Sequence, residues 1–187
     1  MNASTVSTSN MNTSMGATMT DNAANFAAFE GTHACVVFVD FDGVTHPEPA
    51  HPKDYFGQLP LIEQVLREYG AVDVVISSSW RGEHALENLR DFFSSDIAMR
   101  VVGVTPSIKE PSSNWLPGAG SAHAREWEWE CESWMRQNRP WGTPYVAVDD
   151  RSTWFRPGCA DLLLTDARTG FTQQDQDTLR AMLRERL

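Results

Sequence analysis

Short runs of apolar residues alternate along the chain with segments in which apolar positions recur every three or four residues. The runs are residues 36–39 (VVFV), 72–76 (VDVVI, broken only by Asp73), 100–104 (RVVGV), 145–148 (YVAV) and 162–165 (LLLT). Each reads as a strand; residues 36–39 have no polar face, as in a strand buried on both sides of a parallel sheet, and 72–76 read as a second buried strand. Between them, residues 60–69 place Ile62, Val65, Leu66 and Tyr69 on one helical face, with Pro60 in the first turn and Gly70 as the stop. Residues 83–93 read as one helix with Ala85, Leu86, Leu89, Phe92 and Phe93 inward. Residues 123–137 read as another, whose Trp127, Cys131, Trp134 and Met135 form a core stripe rather than a base-stacking platform, with Trp129 off that face and exposed. Thr172 caps a last helix reaching about Arg186, with Leu179, Met182 and Leu183 inward. Strands and helices therefore alternate. The expectation is an α/β fold, a three-layer doubly wound parallel sheet with right-handed crossovers.

Outside these elements the chain changes character. Residues 1–30 are rich in Ser, Thr, Asn, Ala and Met and nearly free of charge. They cannot bury enough apolar surface to offset chain entropy, which predicts a disordered tail before one folded domain over 31–187. Residues 45–58 hold three prolines together with His46 and His51, and read as a loop or small flap. Those histidines are either metal ligands or simply solvated. Residues 105–121 form a second long loop carrying Trp115. No apolar run approaches the roughly 20 residues of a membrane-spanning helix. The first 30 residues contain no Lys or Arg, so neither a secretory signal nor a transit peptide is expected.

The net charge of −10 provides no overall basic field for polynucleotides or anionic membranes, while leaving room for a local basic pocket. Cys35, Cys131 and Cys159 are odd in number, far apart and without metal-ligand spacing. They predict reduced thiols and a cytoplasmic setting.

The chemistry sits where three of the predicted strands end. The first runs into Asp40, Phe41, Asp42 and Gly43, the second into Ser77, Ser78, Ser79, Trp80 and Arg81, the fourth into Asp149 and Asp150. Two carboxylates one residue apart at the exit of a buried strand repel each other and are partly desolvated, and a bound cation relieves both costs. The plainer alternative is an acidic loop. Parallel strands bring all these ends to one edge of the sheet, beyond which open α/β sheets bind ligands. Four carboxylates there call for a hard cation, and oxygen ligands with retained waters suit Mg²⁺. The hydroxyls and N–H groups of Ser77 and Ser78 at a helix entrance suit a phosphate. A nucleophilic carboxylate beside Mg²⁺ and a phosphate site implies phosphoryl transfer through an aspartyl-phosphate.

Over about residues 35–170 this arrangement resembles the haloacid dehalogenase (HAD) superfamily. The DxDG after the first strand, the serine after VVI and the paired aspartates after YVAV match three of that superfamily's motifs in order and direction. More narrowly, VDFDGVTHP, VVISSSWR, VAVDD and LLLTDARTGFT resemble the HAD-type domain of bacterial "Swiss army knife" RNA-repair proteins. The resemblance implies a Rossmann-like core with strand order 5-4-1-2-3. It also implies Asp40 as nucleophile and Mg²⁺ ligand, and Asp42 as general acid and base whose backbone carbonyl is a further ligand. Asp149 would bind Mg²⁺ directly and Asp150 through water. Ser77, helped by Ser78, would hold a phosphoryl oxygen. The third motif needs a Lys or Arg; Arg125 fits its place before the fourth strand, with Lys109 and Arg81 as rivals. Arg81 fits better as a contact to the remote part of the substrate, or as a plain surface arginine. Neither insertion is large enough for a cap domain, so the site is expected to be open.

The function expected on these grounds is a Mg²⁺-dependent phosphomonoester phosphatase. Its substrate would be a nucleotide, a nucleic-acid end, a phosphoprotein or a small metabolite. The first two are favoured by the resemblance and opposed by the charge. A phosphotransferase of the same fold and a non-catalytic interaction module are the alternatives, with a metal-dependent nuclease fitting Asp42 and Ser77 less well. Oligomeric state stays open.

Overall fold

The computed structural model describes residues 34–107 and 125–187. The predicted tail, Lys109 and Trp115 lie outside the described residues. Five strands form one parallel sheet: β1 (Cys35–Val39), β2 (Val72–Ile76), β3 (Val101–Val104), β4 (Tyr145–Asp149) and β5 (Leu162–Leu164). Their spatial order is β3-β2-β1-β4-β5, the expected order read from the other edge. In register, Val37 lies opposite Val74 on one side and Val146 on the other. All five residues of β1 are buried, which explains a run with no polar position. At roughly 1.5–3 kcal/mol for each large side chain buried, this strand alone contributes heavily to the core.

Among the described residues, five helices flank the sheet, α1 (Leu59–Glu68), α2 (Leu86–Arg90), α3 (Ser95–Ala98), α4 (Glu126–Asn138) and α5 (Gln173–Arg184), together with short 3₁₀ turns such as Ser79–Gly82. Alternation along β1 divides the core in two. Val37 and Val39 pack with Ile62, Val65 and Leu66 of α1 and Leu179 and Leu183 of α5. Val36 and Phe38 face Cys131, Trp134 and Met135 of α4. The Trp stripe is thus core, with Trp127 at its margin. Trp129 is half-buried rather than exposed.

Several polar groups at the ends of the elements are matched across the fold. Asp73, the polar interruption in β2, pairs with Arg139 just beyond α4. Arg100, at the entry to β3, donates to the carbonyls of Leu66, Tyr69 and Val72, closing the end of α1 onto the start of β2. Thr172 and Asp175 form a capping box at the start of α5.

The helix expected over 83–93 is broken. The chain makes the 3₁₀ turn Ser79–Gly82, an extended Ala85, the five-residue α2 and the short α3. Leu89 and Phe93 are buried, as the pattern requires, but Ala85 is exposed. The cause is tertiary: Trp80 turns its ring inward against Phe41, Phe56 and Phe92, which fixes the turn ahead of the helix. No helix among the described residues is long and apolar enough to cross a membrane.

Candidate functional site

Hydrogen bonding within the sheet carries the chain straight into the site. Asp40 N–H donates to Val148 O at 3.1 Å and Ser77 N–H to Val39 O at 2.9 Å, so the ends of β1, β2 and β4 are locked side by side. Phe41 is fully buried among Phe56, Trp80 and Phe92, which anchors the turn between the two aspartates. Gly43 follows at φ +71°, in the left-handed region that favours glycine. A Cβ there would lie 2.6 Å from Asp150 Cγ, so the missing side chain is what lets Asp150, just beyond β4, approach. Thr165, beyond β5, donates its hydroxyl to Gly43 O at 2.8 Å and holds the turn from the other side.

Asp40, Asp149 and Asp150 converge, with one oxygen of each within 4.8 Å of the others. Asp40 and Asp149 are buried. Asp40 Oδ1 accepts the Phe41 N–H at 2.7 Å, and Asp149 Oδ1 accepts the Arg151 N–H at 2.7 Å. Asp149 Oδ2 and Asp150 Oδ1 are buried with no hydrogen-bond partner. Burial, then the charge of Asp149, pushes the Asp40 carboxyl well above the usual range, against the opposing pull of the Phe41 N–H and the Ser78 hydroxyl. Burial likewise raises Asp149 to about 7. Asp150 moves up too, chiefly by burial, with Arg151 opposing. Clustered carboxylates with orphaned buried oxygens are the donor set of a hard divalent cation, and Mg²⁺ fits them.

Asp42 stands beside this cluster with its carboxylate turned elsewhere. Its Oδ1 lies 3.1 Å from His46 Nε2, and its Oδ2 accepts the Trp80 indole N–H at 3.0 Å. His46 is therefore buried, neither a free loop histidine nor a member of the acidic cluster. His51 instead accepts the Lys53 N–H at the exposed end of the loop.

The serine loop is secured from the α4 side. Trp127 donates its indole N–H to Ser77 O at 3.0 Å, and Arg81 Nη1 donates to Ser78 O at 2.7 Å. The Ser77 hydroxyl lies 3.8 Å from Cys131 Sγ. The feature after Ser78 is the single 3₁₀ turn rather than the mouth of a long helix, so any phosphate held there relies on local N–H and hydroxyl groups.

The predicted cations are placed differently from one another. Arg81 is nearly buried, in an ion pair with Glu130 and over the ring of Trp127, so its guanidinium braces the loop. Arg125 bonds Glu128 and borders a cavity of about 850 Å³ walled by Trp154, Arg156 and Leu162. Among the described residues it pairs with Glu128 and Glu132 and lies over the Trp129 ring. Among the described residues, Arg151 is the guanidinium set beside the aspartates: it lies 3.8 Å from Asp150, pairs with Glu48 and stacks on Trp154. Sequence reasoning passed over Arg151, Thr165 and Trp80. The position of Arg151 directly after the paired aspartates was the one available signal.

A family model described as the HAD domain in Swiss Army Knife RNA repair proteins matches residues 36–176. Neither the curated proteins nor the solved structures contain a match to this chain.

Proposed function

The chain belongs to the family of HAD domains in Swiss Army Knife RNA repair proteins, and on the strength of its acidic site we propose that it is a Mg²⁺-dependent phosphatase of phosphomonoesters. The observation that carries this reading is the convergence of Asp40, Asp149 and Asp150, with buried oxygens that accept no hydrogen bond, directly beside Asp42. Those three carboxylates and the Asp42 carbonyl would hold Mg²⁺, whose charge would keep Asp40 ionised and polarise the phosphoryl oxygens.

The chain's own residues then have distinct tasks. With Asp40 Oδ1 on the Phe41 N–H, Oδ2 is left to attack phosphorus. As the Asp40–phosphorus bond forms, the bond to the leaving oxygen breaks and Asp42 gives that oxygen its proton. Asp42 then takes a proton from water as the water oxygen attacks the acyl phosphate. Inorganic phosphate leaves and the Asp40 carboxylate is restored. Ser77 and Ser78 bind phosphoryl oxygens, and the loop bracing by Arg81 and Trp127 fixes them in place. Arg125, Lys109 and Arg151 are the arginine and lysine candidates for neutralising the phosphate. A site with no cap domain among the described residues suits the exposed terminal phosphate of a nucleotide or nucleic-acid end, which needs only a local basic contact despite the charge of −10. Reduced thiols support a cytoplasmic setting.

The test is phosphate release from nucleotides, 5′- and 3′-phosphorylated oligonucleotides, sugar phosphates and phosphopeptides, with and without Mg²⁺. Release that needs Mg²⁺ and falls at least about 10³-fold in Asp40→Asn is expected. Mg²⁺ binding with no turnover of any of these would instead identify a binding module. Transfer to an added alcohol in place of hydrolysis would identify a phosphotransferase.

A further inference from the structure

We propose that His46 and Trp80 are positioning residues that clamp the Asp42 carboxylate for proton transfer and keep it out of the cation-binding cluster. The proposal rests on the phosphatase reading of Asp42.

Two ring nitrogens from different parts of the chain meet one carboxylate, His46 Nε2 on Oδ1 at 3.1 Å and the Trp80 indole N–H on Oδ2 at 3.0 Å. An ionised carboxylate only accepts, so with Asp42 ionised the His46 Nε2 carries the proton. Both donors are themselves immobilised. His46 is 1% exposed, its Nδ1 lies 3.0 Å from the Thr45 hydroxyl, and its ring lies on Tyr55 with centroids 4.6 Å apart. Trp80 packs edge-on against Phe41, Phe56 and Tyr55.

The Asp42 side chain is nevertheless 36% exposed. Each of its oxygens keeps a second lone pair, so the group remains open to a leaving oxygen while its torsions are fixed. Aromatic residues present only to fill the core need not aim two N–H groups at the same carboxylate. The cluster agrees with this, since Asp40, Asp149 and Asp150 supply its carboxylate oxygens and Asp42 does not. Two donors thus separate the proton-transfer carboxylate from the cation-binding ones, although Asp40 and Asp42 are only two residues apart. Misplacing a reacting group by about 1 Å is enough to slow a reaction on the order of a hundredfold.

The experiment uses the full chain with Mg²⁺ and two substrates, p-nitrophenyl phosphate and an alkyl phosphate. The aryl leaving group departs without an acid and the alkyl one needs it. The readout is kcat/KM, which reports the steps up to formation of the Asp40 acyl phosphate and is blind to the later hydrolysis common to both. Trp80→Phe, which keeps the ring and removes the N–H, should lower kcat/KM about 10-fold on the alkyl ester and about 2-fold or less on the aryl one. His46→Leu should do the same, and His46→Gln, which restores an N–H donor, should recover part of the loss. Equal losses on both substrates would mean that the two rings are merely structural and would overturn the proposal, as would no loss on either.

A second readout needs no turnover. The Trp80 indole proton, identified in ¹⁵N-tryptophan-labelled protein by its absence in Trp80→Phe, should shift upfield in Asp42→Ala. An unmoved signal overturns the clamp. A wild type that hydrolyses neither ester, with that proton still moving, overturns the phosphatase reading and the catalytic role that rests on it while leaving the clamp as structure.

Discussion

Gly43 shows how much one missing Cβ decides. It combines a left-handed backbone with a Cβ position 2.6–2.9 Å from three Asp150 side-chain atoms. The turn is held, since Thr165 ties the Gly43 carbonyl, so the Asp150 side chain is what must yield. Gly43→Ala should therefore push Asp150 out of the cluster and weaken Mg²⁺ binding about 10- to 100-fold, read by isothermal titration. Phosphate release at subsaturating Mg²⁺ should fall with it. An unchanged affinity would mean that Asp150 is not part of the cation site. The same scale explains His46. A histidine in a Pro-rich loop reads as solvated or as a ligand, and only the packing of Tyr55 and Phe56 over it turns its ring to Asp42.

At the scale of elements, the loop after β2 is held by α4. Arg81 and Glu130 form an ion pair in which both side chains are nearly buried, and Arg81 carries the Ser78 carbonyl as well. Removing one partner of such a pair leaves an uncompensated charge inside the protein. Glu130→Ala should reduce the unfolding free energy by about 3 kcal/mol in urea denaturation, whereas Glu132→Ala, in looser and more exposed pairs on the same helix, should cost under about 1 kcal/mol. Equal effects would show that Glu130 is a surface charge in solution. Buried glutamates explain why α4 is weakly patterned: Glu128 and Glu130 face inward between its tryptophans, each matched by arginines from other segments. The 83–93 segment fails as a single helix for a related reason. Its apolar spacing is helical, but Trp80 is drawn into the aromatic cluster and Ala85 is left extended.

For the whole molecule, the acidic cluster is a source of instability until it is filled. Asp149 is raised from 3.8 to about 7, and Asp40 and Asp150 move in the same direction. Between pH 4 and 7 the folded protein therefore holds protons that the unfolded chain has released. Stability contributed by these groups is present at low pH and is lost as pH rises through that window. In EDTA, the melting temperature should be higher at pH 5 than at pH 7.5. Mg²⁺ should raise it more at pH 7.5 than at pH 5, because at pH 5 it must displace protons. A metal-free protein that is more stable at pH 7.5, with a Mg²⁺ effect independent of pH, would show that the three carboxylates are not gathered in solution.

The sequence by itself determined the sheet and its reactive edge. Buried strands are apolar except where a polar group has a partner, as Asp73 has, so β1, β2 and β4 are legible as runs, and the parallel alternation with helices forces Asp40, Ser77 and Asp149 to the same edge. It also determined the helices whose stripes face only the core, α1 and α5, because a one-sided burial leaves a periodic record. The tertiary structure alone decided which polar groups meet across that edge. Hydrogen bonds and ion pairs between segments distant in sequence, such as Trp80 to Asp42, Arg81 to Glu130, Arg139 to Asp73 and Thr165 to Gly43, have no periodicity to betray them. They depend on directions and distances of a few ångströms, which exist only once the chain is folded.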